Sequence, residues 1–321
     1  MVHQKVHYLE KLQVQIATAI ALAAIYFLVA PSFRLADPAE ALAFVPAAAP
    51  AMLIRFAVLF WVLAAGMAIA TIRTRPEGPM IAALIAAGGV SLRSSQLRTI
   101  FWRQDASIPS VYLQMAVELL VMLAILLAAY AIIIAIRKAV SKMKPAWVWS
   151  SPVSATPPAP AKPSAKGKTP AVPFADLKTQ QKLLTVLSNL AVSLAVAFVL
   201  VLLLMRTPSD WHGDAQRGQV IFALLTACLL AVLIAQHVAA CPWRLLALLM
   251  PIVLGIVFCV LAWATHVGSG LNAWISVRSY ASALPIDWAT AGCGGAMIGF
   301  WISSRMSEAK QLEDHDGQGK R

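Results

Sequence analysis

Residues 183–205, 218–243 and 245–265 contain no Asp, Glu, Lys or Arg. A helix of about 20 apolar residues matches the ~30 Å hydrocarbon core of a bilayer. Soluble domains, by contrast, carry about 25% charged residues. Here the charged share is 12%, the hydrophobic share 60% and the mean hydropathy +0.74. These runs imply an integral membrane protein. In lipid, every backbone N–H and C=O must be satisfied within the protein. The expected fold class is therefore all-α, a polytopic transmembrane helix bundle.

Hydropathy places about eight spans in two four-helix halves, near 13–30, 52–72, 78–92, 111–136, 183–205, 218–239, 244–265 and 284–304. The third is short: at 1.5 Å per residue, 78–92 reaches roughly 22 Å, and it contains Gly88 and Gly89. The first run, 14–30, follows Lys5 and Lys11 and is longer than a secretory signal's usual apolar core. It is expected to stay as an anchor.

Orientation follows the Lys and Arg count, because short cytoplasmic loops hold the excess. With eight spans and a cytoplasmic N-terminus, 18 of the 26 basic residues fall inside and 8 outside. A seven-span arrangement that skips 78–92 gives 16 against 10. Both put the long central segment and the C-terminal tail in the cytoplasm. The expected location is multi-pass in a bacterial inner membrane, both termini cytoplasmic. Most tryptophans, Trp243, Trp288 and Trp301 among them, fall near span ends, where an indole anchors at the headgroup level.

The expected organisation is an N-terminal membrane half (1–144), a proline-rich cytoplasmic linker (145–175), a C-terminal membrane half (176–305) and a disordered tail (306–321). Eight prolines in 145–173, among Ala, Ser and Lys, favour extended chain over a packed core. The two halves look partly alike. Ser91-Leu92-Arg93-Ser94 follows the third span, and Ser276-Val277-Arg278-Ser279 follows the seventh. Each half also has an outer arginine near its second span (Arg55, Arg217) and an outer acid at its fourth (Glu118, Asp287). Unequal spacings, 38 residues from Arg55 to Arg93 and 61 from Arg217 to Arg278, speak against a true repeat.

Polar residues in odd places supply the candidate site. Glu118 lies roughly 10 Å inside the fourth span. A charge at mid-bilayer costs at least ~2.5–3.5 kcal/mol and usually faces the bundle interior. Gln114 is one helical turn earlier on the same face. Arg55, at the outer end of the second span, is the expected partner of Glu118. The candidate intramembrane polar site is therefore Arg55, Gln114 and Glu118. Asp287, just after Pro285, reads as a cap for its helix. Ala291, Gly295 and Gly299 form a small-residue stripe that predicts a close helix contact.

The sequence offers no catalytic, metal or cofactor motif. Cys228, Cys241, Cys259 and Cys293 lack metal-site spacing and read as packing residues. Cys241, Arg244 and His266 carry the side chains of a thiol transpeptidase, but a full span separates His266 from the other two. A thiolate and its base must meet within hydrogen-bond reach. Asp210, His212 and Asp214 read as a solvated turn. Membrane lipids and other membrane subunits are the expected partners, and nucleic acid is not. The net charge of +12 reflects topology, with nine basic residues in 137–182. The reading is a non-enzymatic subunit or scaffold of a membrane complex. A transporter or channel-like protein using Glu118 and Arg55 is the alternative, and a membrane-embedded enzyme is a second.

Overall fold

The computed structural model describes residues 2–33, 42–46, 49–72, 74–75, 77–95, 97, 99–100, 108–142, 179–206, 215–265 and 279–318. The 145–173 segment lies outside them, as do Asp210, His212, Asp214, His266, and tryptophans 102, 147, 149, 211 and 274. Among the described residues the protein is an all-α bundle without strands. Helix α1 covers 2–33, its last two turns a π-helical turn (Ile25–Val29) and a 3-10 turn (Ala30–Phe33). It is followed by α2 (Pro50–Ala70), α3 (Glu77–Leu92), α4 (Ile108–Lys142) and α5 (Thr179–Leu204). Then come α6 (Arg217–Val238), α7 (Arg244–Thr265) and α8 (285–318).

Six of these helices hold stretches long and apolar enough to cross a membrane: Leu12–Phe33, Pro50–Ala70, Ser110–Val140, Thr179–Leu204, Arg217–Val238 and Arg244–Thr265. Their outward faces are apolar and uncovered. On α2, Ile54, Val58, Val62 and Ile69 are all at least half exposed. Apolar surface of that extent marks a lipid or protein contact. The 16-residue α3 is too short for that group. It lies in the middle of the bundle instead, 13 of its residues buried, including every one from Glu77 to Leu84.

Small residues make that burial possible. A Cβ on Gly89 would sit 3.3 Å from the Tyr26 backbone nitrogen of α1. The π turn of α1 begins at this contact. On the other side, α8 crosses α3 with Gly294 facing Leu84 and Ile85. Helices from before and after the 145–173 segment thus share one core: α3 packs on α8, and α4 packs on α7.

The start of α8 is nested against α7. Pro251 inside α7 removes one helical N–H. The π turn Trp288–Gly292 of α8 lies beside it, a Gly292 Cβ falling 3.1 Å from the Pro251 Cβ. Cys293 Sγ donates to the Leu248 carbonyl at the same bend, 3.4 Å away. Trp288 corrects an expectation. It is not an interfacial anchor, because the π turn directs it into the core, 1% exposed and stacked on Phe258 at 5.8 Å. Helix α8 also continues to Gln318, so residues 306–318, expected to be unstructured, extend it. Glu, Ala, Lys, Gln and Leu are strong helix formers, and they dominate this stretch.

Candidate functional site

The described polar side chains of the core gather in two layers, one at each end of the bundle. One end carries the α2–α3 connection, the start of α7 and the helix ends that flank 143–178; we call it the linker face. The opposite end carries the starts of α2, α4, α6 and α8.

At the opposite end, non-helical backbone enters the protein interior. Residues 42–46 form a turn in which Leu42, Ala43 and Phe44 are buried. Such backbone is tolerated at membrane depth only where the protein itself satisfies it. Glu118 is fully buried, and its Oε2 accepts the Val45 N–H at 2.9 Å. Ser94 Oγ accepts the Leu42 N–H at 2.8 Å. The buried acid of α4 therefore ties down a segment more than seventy residues earlier in the chain.

The Arg55–Glu118 pair expected from sequence does not form. Arg55 is exposed, and its guanidinium lies against Met52 Sδ at 3.9 Å. The reason is rotational. Helix α2 turns Phe56, Phe60, Ala64 and Met67 inward, and Arg55 falls off that stripe. Gln114 is half-buried, one turn from Glu118 on α4. Its amide oxygen and Glu118 Oε1 are both buried without a hydrogen-bond donor.

The charge pair that does form at this end joins α6 to α8. Arg217 holds Asp287 with two bonds, Nη1 to Oδ2 at 2.6 Å and Nη2 to Oδ1 at 2.5 Å. Asp287 is fully buried and also accepts the Leu284 N–H at 2.7 Å and the Ser91 hydroxyl. Arg217 Nη2 reaches the Ser91 carbonyl at 2.9 Å. The cap expected of Asp287 is thus one part of a larger junction that fastens α3, α6 and α8 together. Ser91, Arg217 and Asp287 each stand out in the sequence, but no spacing there brings them together. Pro285 at the first helical position and an acid two residues later were the signal for the cap. Nothing local pointed to Arg217.

At the linker face the pattern repeats with other residues. Arg244 Nε meets Glu77 Oε1 at 2.5 Å, joining the start of α7 to the start of α3. Arg137 of α4 donates to the carbonyls of Thr71 and Thr74, at 3.1 and 2.5 Å. Gln13 of α1 donates to the Ala70 carbonyl at 2.6 Å. Asn189 donates to the Ala239 carbonyl, also at 2.6 Å. Each of these carbonyls sits at or beyond the end of a helix, where the regular ladder leaves acceptors unused.

Gly295 and Gly299 lie on the backbone of α6. A Cβ at Gly295 would fall 2.2 Å from the Leu225 carbonyl oxygen, and one at Gly299 would fall 2.5 Å from that of Leu229. Ala291, the third residue of the stripe, is buried in the π turn. The contact is within the chain.

For thiol chemistry the linker face is poorly set. Burial pushes the Cys241 thiol up, against a smaller opposing hydrogen bond from the Trp243 backbone. A raised thiol supplies little thiolate. The Gln236 amide clasps the Cys241 backbone from both sides, at 3.0 Å each way. Among the described residues, no three His, Cys, Asp or Glu side chains gather to hold a metal ion. No protein-family model, curated protein or solved structure matches this chain.

Proposed function

We propose that this protein is a non-enzymatic subunit or scaffold of a membrane complex. In this reading it crosses the bilayer about eight times, with both termini and the proline-rich linker in the cytoplasm of a bacterial cell. One observation carries it: the ionisable side chains that reach into the core turn onto the chain's own backbone and onto each other. Glu118 holds 42–46, Asp287 and Arg217 hold α3 and α8, Glu77 and Arg244 hold α7, and Arg137 holds the α2–α3 connection. Groups placed to bind a passing solute would face a path, whereas these close the bundle at both ends. The placement of Arg137, Lys138, Lys142 and Arg244 at one end supports a cytoplasmic linker face.

A second reading, a transporter, draws on the donorless oxygens of Glu118 and Gln114. Isolation in mild detergent followed by native mass spectrometry separates the two. The scaffold reading expects a defined mass above that of the 34.4 kDa chain, with a partner in fixed ratio. Isolation as the lone chain, together with ion or solute flux in liposomes that Glu118→Gln abolishes, would replace it with the transporter.

A further inference from the structure

Glu118 Oε1 and Gln114 Oε1 are both shielded from solvent, and neither meets a hydrogen-bond donor. They belong to residues four apart on α4, which share one helix face. An amide oxygen and an ionised carboxylate oxygen are both acceptors only. A buried acceptor left unmatched loses the hydrogen bond that water would have given it. A single proton shared between the two oxygens removes both deficits. We propose that Glu118 carries a proton on Oε1 and donates it to the amide oxygen of Gln114, making the pair a proton-binding site inside the bundle.

The rest of the surroundings fit. Glu118 Oε2 keeps its role as acceptor for the Val45 N–H in the acid form. Among the described residues no cation from a neighbouring helix meets this carboxylate. Arg55 of α2 is exposed against Met52. Asp287 of α8 is closed by Arg217. Glu77 of α3 lies at the other end of the bundle, on Arg244. Among the described residues, the buried Cys259 thiol of α7 is a further titratable neighbour. Residues 42–46 bring backbone N–H groups and no ionisable side chain. Loss of the proton sets an anionic oxygen against a second acceptor. Either the Gln114 amide turns over to offer its N–H, or 42–46 loosens and water enters. Proton occupancy is thereby tied to the seating of the 42–46 turn.

Infrared difference spectroscopy of the full chain in lipid nanodiscs tests this. At neutral pH the unmutated protein should show a protonated-carboxyl C=O band that shifts on glutamate-selective ¹³C labelling. Glu118→Gln should remove the band while the protein stays monodisperse, since its amide can still donate to Gln114 and accept from Val45. Gln114→Leu should keep the band but move it, because the acceptor is gone. The isotope experiment needs no variant and so does not depend on one folding. Absence of an isotope-sensitive acid band at neutral pH would overturn the proposal. So would a band that survives Glu118→Gln, or one that Gln114→Leu leaves in place, since a Gln114 amide turned to donate N–H would then account for both oxygens.

Discussion

Glu118 Oε2 accepts the backbone N–H of Val45 at 2.9 Å, so the deepest acid of α4 serves the turn that precedes α2 and not the arginine on it. Arg55 faces away. The two residues should therefore respond differently to mutation. Arg55→Gln should change the thermal midpoint in detergent by no more than surface substitutions do, within ~0.5 kcal/mol. Glu118→Leu should cost about 1–3 kcal/mol, because a buried N–H loses its acceptor. Glu118→Gln, which keeps an acceptor, should lie between. Equal losses in Arg55→Gln and Glu118→Leu would restore the pairing.

The close approach of α8 to α6 makes a second expectation. Gly295→Ala and Gly299→Ala place a methyl group against the Leu225 and Leu229 carbonyls, which are fixed backbone. Folded yield should fall sharply in both. Gly66→Ala and Gly218→Ala meet nothing within 4 Å and serve as matched controls. Their helices gain propensity from alanine, by up to ~1 kcal/mol. Similar behaviour of all four variants would remove the contact from the account.

Thiol labelling probes the linker face. Cys241 is buried, and its thiol is raised by that burial. Maleimide should react with it slowly at neutral pH and faster as pH rises, since only the thiolate attacks. Gln236→Leu removes both bonds of the clasp and should speed the reaction at every pH. Fast labelling of the unmutated protein at neutral pH, read by mass, would contradict the buried placement.

The topology is open to a direct check. Reporter fusions after Pro163 and after Gln318 should both read cytoplasmic. A periplasmic reading at either position would reject the proposed orientation.

Much of the fold was legible because lipid punishes charge along a whole span. Each expected span coincides with a helix, and the short 78–92 run is one as well, though buried in the middle of the bundle. Its glycines and alanines were the visible clue, since only small side chains let three neighbours approach one short helix. The stripe at Gly295 and Gly299 was legible for the same reason. Pairings between distant residues were not. Which way Arg55 points depends on the rotation of α2, set by packing of Phe56 and Phe60 against the rest of the core. The Arg217–Asp287 junction joins residues 70 apart, with Ser91 added from another 126 away. No local spacing encodes that. Nor could hydropathy reveal that 42–46 would sink into the core and need Glu118.

The central claim is that the buried charges brace the bundle. A double-mutant cycle on Arg217 and Asp287 tests it most directly, read as thermal unfolding of the purified protein. Removing one partner strands the other in the core, at about 3–5 kcal/mol. The account predicts that Arg217→Gln and Asp287→Asn each lower the midpoint strongly, and that the double variant recovers a clear part of the loss. Single variants as stable as the unmutated protein, or losses that simply add in the double variant, would contradict it.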